Sequence, residues 1–265
     1  MKEYKVIKTS IAEKTSWKMT TTMRPENMVA MSSLASATQL DKIRSHYIEK
    51  GKSPPSYTSM IIKAAALTMK KHPEANRAIL GLPFFKKVYE FDNLDISVAV
   101  EKSLPALPGQ PYAATIERPV NKNLDSINNE LKHLVSCTEE NEPKLKQFMF
   151  ILKKIPAPFS LLLINSVYWF PRLWIKYRGC AAWVNSPAKA GTDLVVTCWP
   201  WPITFSFGIV KKRPIVIDDS VQVGLTIPLL LSFDRRIMGG APASRVFATF
   251  VEIIESAEIY LERVR

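Results

Sequence analysis

Apolar residues fall along this chain at two spacings, and each change of spacing marks a change of element. Residues 28–34 (MVAMSSL) read as a strand running into Ser36-Ala37-Thr38-Gln39, a capping-box sequence whose hydroxyl and amide can satisfy orphan N–H groups at a helix start. Leu40, Ile43, Tyr47 and Ile48 then recur at helical spacing until Gly51 stops the pattern. Past Pro54-Pro55, Ser56 or Thr58 can cap a second helix, SMIIKAAALTMKK, which is apolar around most of its circumference and therefore expected to be buried. His72-Pro73 ends it. Residues 87–91 and 94–100 are rich in β-formers and separated by Asp92-Asn93, which predicts an antiparallel hairpin. Asn123 caps an amphipathic helix with Leu124, Ile127, Leu131 and Leu134 on one face, and the charged stretch 139–146 follows as a surface connection.

Residues 155–171 contain no charge, yet Pro156, Pro158 and Pro171 interrupt them. The run is also shorter than the ~20 residues that span a bilayer. With Trp169, Trp174, Lys176 and Arg178 beside it, the segment suits a membrane surface or an acyl-chain pocket. The alternative is an insertion packed on the core or at a subunit contact. Farther on, residues 194–198 and 203–210 read as strands bracketing Trp199-Pro200-Trp201-Pro202. Ile215 and Ile217 answer Val221 and Val223 across Asp218-Asp219-Ser220 as a hairpin, and 229–233 is a buried strand. Residues 241–264 form a long helix with Val246, Phe250, Ile254, Ala257 and Leu261 inward. No internal repeat or low-complexity linker divides the chain, which predicts one domain over 1–265.

Composition narrows the class. With 47% hydrophobic and 23% charged residues over a length of 265, the chain is globular in character and unlike a disordered one. A formal charge of +12 attracts polyanions: nucleic acid, anionic lipid, a phosphorylated cofactor or an acidic protein. The basic residues stand in short groups, with no basic arm, zinc finger or RNP sequence, so nucleic acid is the disfavoured partner. The odd count of cysteines, Cys137, Cys180 and Cys198, suits a reducing compartment and buried free thiols. Residues 1–17 are charged and lack an apolar core of the signal-peptide kind, which points to the cytoplasm, with membrane association resting on the apolar segment.

The chemistry concentrates in Leu231 to Pro242, LSFDRRIMGGAP: a strand, then Asp234 with two arginines, then a glycine pair opening a helix. The wider stretch KRPIVIDDSVQVGLTIPLLLSFDRRIMGGAPASRVFATFVEIIE resembles the C-terminal part of the catalytic domain of the 2-oxoacid dehydrogenase dihydrolipoyl acyltransferases, relatives of chloramphenicol acetyltransferase. ASATQLDKIR, IIKAAALTMKKHPEANRAI and FDNLDISVAVE lie upstream in the family's order, and the likeness is weakest over 103–195. The resemblance implies an α/β (α+β) chloramphenicol acetyltransferase-like fold, a mixed sheet flanked by helices. It also implies trimers or larger homo-oligomers with active sites between neighbours. Lipoyl and subunit-binding domains, which precede the catalytic domain in the family, have no counterpart in these residues.

The family signature Asp-His-Arg-x-x-Asp-Gly supplies a histidine that takes a thiol proton and an aspartate that organises the turn. Laid on this chain, Asp234, Arg236 and Gly240 match, whereas Arg235 stands at the histidine position and Gly239 at the aspartate position. A guanidinium offers only donors and stays protonated, so Arg235 cannot be the general base. His46, His72 and His133 fall on helices or a helix end, away from this turn in sequence. The resemblance also implies an oxyanion-binding hydroxyl on a strand, for which Thr197 is the candidate; Cys198 beside it has no histidine in sequence reach. Ser232, Asp234, Arg235, Arg236 and Gly240 are the candidates for a pocket or anion site, with Asp234 pairing Arg236 as the structural reading. No metal ligand set appears. Three functions compete. The first is a pseudoenzyme that binds coenzyme A or a pantetheine thioester. The second is an active acyltransferase with relocated chemistry, accepting acyl groups on an acidic acyl carrier protein. The third is a structural module docking on a membrane or partner.

Overall fold

The computed structural model describes residues 25–82, 84–102 and 111–262. The reading of residues 1–17, and the end of the last predicted helix at 263–264, lie outside the described residues. The main sheet is mixed, as expected, and runs in the order β1-β9-β7-β6-β4-β5, with β8 paired to β9. Its strands are β1 (Met28–Ser36), β4 (Ile96–Val100), β5 (Tyr112–Ile116), β6 (Ala182–Asn185), β7 (Ile203–Phe207), β8 (Lys211–Ile217) and β9 (Ser220–Asp234). The β4–β6 and β6–β7 pairs are parallel and the other pairs antiparallel. A separate two-stranded sheet joins β2 (Arg77–Leu80) to β3 (Lys87–Glu90).

Helices α1 (Thr38–Glu49), α2 (Tyr57–Lys71) and α7 (Gly240–Glu255) pack together with β1 to close one face of the sheet. Phe205 of β7 meets Phe250 of α7 edge-on at 4.8 Å, which fixes that face as the apolar one. Ser56 caps α2 by accepting from the Ser59 N–H at 3.1 Å, as the sequence suggested. The helix is buried nearly all round, including Lys63. Gly51, with φ 68°, ends α1: the Lys52 N–H reaches the Tyr47 carbonyl and the Gly51 N–H the Ile48 carbonyl, the paired bonds of a Schellman stop. Asn123 caps α3 (Leu124–Ser136), accepting from the Ser126 N–H at 2.8 Å, and its four predicted apolar residues are buried.

Several expectations are corrected. The capping box does not form: Ser36 is the last residue of β1, its N–H donates to Glu255 Oε1, and the N-cap of α1 is Ala37 without a side-chain bond. Strand pairing with β9 keeps Ser36 extended, and its hydroxyl accepts from the Thr38 N–H at 3.4 Å and donates to Thr38 Oγ1 at 3.1 Å in place of the capping-box bonds. Residues 87–100 are not a hairpin, because β3 turns back on β2 while β4 enters the main sheet between β5 and β6. Asn76 separates them: its side-chain amide donates to the Phe91 and Asn93 carbonyls, each at 2.7 Å. The stretch 139–146 is only partly a connection, since Pro143 opens α4 (Pro143–Lys154). Residues 155–171 hold α5 (Ala157–Ser166) and lead into α6 (Pro171–Arg178). Residues 194–198 form no strand, and the one predicted at 203–210 ends at Phe207. The 229–233 strand is the buried end of the longer β9. The C-terminal helix breaks at Ser256, and α8 (Ala257–Leu261) carries its end.

Candidate active site and its covering loop

β9 delivers Asp234 to the edge of the core, where it is buried to 9% exposure. Its N–H donates to the Pro202 carbonyl at 2.7 Å, which ties the strand end to the loop before β7. Its carboxylate folds back on Arg236: Oδ1 accepts from the Arg236 N–H and Nε at 2.9 Å each, and Oδ2 accepts from Nη2 at 2.5 Å. This two-pronged pairing uses up the carboxylate and holds the guanidinium's pKa above its ordinary value, the side-chain bond to Asp234 outweighing burial. The structural pairing expected for Arg236 is therefore present.

Arg235 is oriented differently. Its N–H donates to the Asn27 carbonyl at 2.8 Å, so β1's approach fixes its backbone. Its side chain is exposed, and no hydrogen bond or ion pair holds its guanidinium among the described residues. Ile237 and Met238 are buried and anchor the turn, with the Ile237 N–H closing on the Asp234 carbonyl at 3.0 Å. Gly239 is the N-cap of α7 with no side-chain cap, and nothing stands within 4 Å of a Cβ placed on Gly240. None of the three histidines hydrogen-bonds to this turn among the described residues: His46 and His133 are exposed, and His72 Nε2 meets Thr249 Oγ1 at 2.8 Å.

Ser232, two residues before Asp234, donates its hydroxyl to the Thr197 carbonyl at 3.2 Å. The structure thus brings Thr197 to the strand end, though on a loop and not on the strand expected. Its hydroxyl oxygen is buried without a hydrogen-bond partner. Cys198 beside it is half-buried, whereas Cys137 and Cys180 are buried; Cys180 donates to the Asn93 carbonyl at 2.9 Å, and burial pushes its pKa up to about 12.

Sequence reasoning missed the polar row to which these residues belong. The register sets Ala30, Ser232, Thr204, Trp183, Ser97 and Thr115 side by side across six strands, on the face opposite Phe205. The signal was present in ITFSF, where Thr204 and Ser206 alternate with apolar residues. Over this face lies the tryptophan-proline loop: Trp183 stacks on Trp201 at 4.3 Å and meets Trp199 at 5.1 Å. The Trp201 indole N–H and the Ser97 hydroxyl both donate to the Arg178 carbonyl, joining loop, sheet and α6. Trp183 Nε1, Trp199 Nε1, Thr197 Oγ1, Thr204 Oγ1 and Ser206 Oγ are buried with no hydrogen-bond partner among the described residues. A native interior leaves few such atoms unmet, so this layer is suited to a polar guest or ordered water.

Comparison with known proteins follows the same lines. The family model "2-oxoacid dehydrogenases acyltransferase (catalytic domain)" matches residues 2–149 and 204–261, leaving 150–203 outside it. The dihydrolipoyllysine-residue acetyltransferase component of the Zymomonas mobilis pyruvate dehydrogenase complex is 24% identical over 202 residues, which cover 76% of this chain and 37% of that protein. The chain spans less than half the length of the curated relatives it matches. A probable dihydrolipoamide acetyltransferase from Listeria monocytogenes superposes over 100% of this chain and 99% of its own, with a TM-score of 0.69 and 21% identity. The cubic core of a pyruvate dehydrogenase multienzyme complex gives 0.69 at 17% identity, covering 98% and 94%. A chloramphenicol acetyltransferase gives 0.50 at 12%, covering 86% and 88%. These likenesses bear out the expected fold.

Proposed function

Since the chain belongs to the 2-oxoacid dehydrogenases acyltransferase (catalytic domain) family, we propose that it is an oligomeric acyltransferase-like core that binds coenzyme A or an acyl thioester and has lost the family's thiol-activating pair. The observation that supports the reading is the Arg235 guanidinium, exposed and without a partner among the described residues, at the place where the resemblance sets the proton-accepting histidine. Acyl transfer between thioesters needs the attacking thiol deprotonated. A guanidinium has no lone pair to accept that proton. Asp234, the adjacent carboxylate in the chain, is engaged by Arg236 and is not free to act instead. General-base help is worth ~10²–10⁴ in rate, so its loss leaves binding largely intact while suppressing turnover.

Binding has its own support. Arg235 is a free donor array suited to phosphate or carboxylate oxygens. The unpartnered hydroxyls and indole N–H groups beneath the tryptophan-proline loop match the alternating amides of a pantetheine arm in donor and acceptor character. Thr197 stands among them as the candidate hydroxyl for an oxyanion. Assembly as a homotrimer, the unit expected of the family, completes the reading, because the family's sites lie between neighbours.

The test is native mass spectrometry for a co-purifying thioester or coenzyme A, paired with an Arg235→His/Gly239→Asp variant assayed for acylation of a dihydrolipoyl-type thiol. The variant is expected to gain at least ~10² in rate over the parent. Acyl transfer by the parent at rates typical of enzymes, abolished in Arg235→Ala, would overturn the proposal in favour of relocated chemistry.

A further inference from the structure

We propose that the face made by Leu82, Phe84, Phe85 and the outer sides of α5 and α6 docks on an anionic lipid bilayer, lying in the headgroup layer without crossing it. Single exposed apolar residues are ordinary on a protein surface, but these are grouped. Phe84 is 98% exposed, Phe85 76% and Leu82 48%. On α5, Phe159, Leu162 and Leu163 stand at helical spacing with exposures of 63%, 53% and 46%, while Ser160 and Ile164 turn inward. Phe170, at the entry to α6, is 51% exposed.

Two local features bring these segments together. The Gly81 N–H donates to the Tyr168 carbonyl at 2.9 Å, seating the first turn beside the α5–α6 junction. Gly81 has φ 133°, and a Cβ there would meet the Phe85 carbonyl oxygen at 2.5 Å, so the Phe85 backbone lies close against Gly81.

Charge identifies the occupant. No acidic residue occurs between Glu74 and Glu90, or between Glu142 and Asp193, whereas Lys86, Lys87, Lys154, Arg172 and Lys176 fall in those stretches. Lys86, Lys87, Lys154 and Arg172 form no ion pair among the described residues. A second copy of the chain meeting this face across a twofold axis would set Lys86, Lys87, Lys154 and Arg172 against themselves, which like-charge repulsion opposes; a neighbour in a cyclic trimer would present another face, and sedimentation tells that case apart. Aromatic tips beside unpaired lysines are what an anionic interface takes up: rings enter at the headgroup level and ammonium groups meet lipid phosphates. Among the described residues no helix is long and apolar enough to cross a membrane. The family model leaves α5 and α6 unmatched, while Leu82, Phe84 and Phe85 fall within its matched residues.

Vesicle flotation of the full chain tests this directly. It is expected to float with phosphatidylcholine mixed with phosphatidylglycerol, to float poorly with phosphatidylcholine alone, and to lose binding as salt is raised. Lys86→Glu/Lys87→Glu and, separately, Phe84→Ser/Phe85→Ser should each lower partitioning by roughly tenfold or more. Phe159→Ser/Leu162→Ser should lower it independently of the loop; all are exposed positions, and unchanged melting checks that each variant folds. Failure to float with the mixed vesicles overturns the proposal. So does flotation indifferent to Phe84→Ser/Phe85→Ser, which would assign binding to general surface charge. A fall in oligomer mass in that variant, read by sedimentation, would assign the face to a second copy and overturn it likewise.

Discussion

Gly239 has φ −75° and ψ 172°, extended backbone that any residue adopts, and a Cβ there would meet only Pro242 Cδ, at 3.9 Å. Geometry therefore leaves room for the aspartate that the proposed alignment with the family signature sets there. An aspartate at this N-cap would accept from the first free N–H groups of α7 and face the positive end of the helix, so Gly239→Asp is expected to raise stability by a few tenths of a kcal/mol, up to ~1. Thermal melting checks it. Gly208 is the opposite case. A Cβ there would fall 1.6 Å from the Asp193 carbonyl oxygen, where the chain before β7 crosses the chain after it. Gly208→Ala must push these backbones apart and should cost ~1–3 kcal/mol, seen as a lower urea midpoint. Sequence alone distinguishes these two glycines poorly, because one is constrained by a neighbour fifteen positions away and the other by nothing. Arg235 and Gly239, in contrast, were legible as departures because the residues on either side kept the family's order.

The second helix illustrates what an element conceals. Its apolar circumference predicted burial, yet Lys63 sits in the middle at 2% exposure and donates to the Pro119, Val120 and Lys122 carbonyls at 3.0, 2.7 and 2.6 Å. The ammonium thereby caps the short helical turn Pro119–Asn121 that leads into α3. Burial, ahead of repulsion from Lys70, lowers its pKa from 10.5 to about 8. Between those values the unfolded chain binds the extra proton, so the contribution of this group to stability rises with pH across that window. Lys63→Met leaves three carbonyls without a donor and should destabilise by ~1–3 kcal/mol. The gap between parent and variant, measured by urea unfolding, should widen from neutral pH toward pH ~10. The strand errors share a cause. Residues 87–91, 94–100 and 194–198 have strand composition, but composition carries no partner: Asn76 sends β3 and β4 to different sheets, and the Thr197 carbonyl is taken by a serine hydroxyl from β9. The caps at Ser56 and Asn123 and the helical periodicities are local and readable, whereas the capping box expected at Ser36 gave way to strand pairing with β9, which is not local.

At the scale of the molecule, the fold followed from the family's order of elements, while the arrangement of residues 150–203, which the family model leaves unmatched, did not. The polar row under the tryptophan-proline loop became visible only once the register was known. Assembly as a trimer predicts a sedimenting particle of about three times the 30.0 kDa chain; a monomer at micromolar concentration would remove the subunit boundary at which the proposed pocket is completed. One strand ties these parts together. β9 runs unbroken for 15 residues, ~50 Å of backbone, from a hairpin tip bearing the exposed Val216, Val221 and Val223 to Asp234 beside Arg235. One of its ends stands in the open and the other carries the arginine turn. The exposed tip and the arginine turn therefore share one continuous strand, with no loop between them.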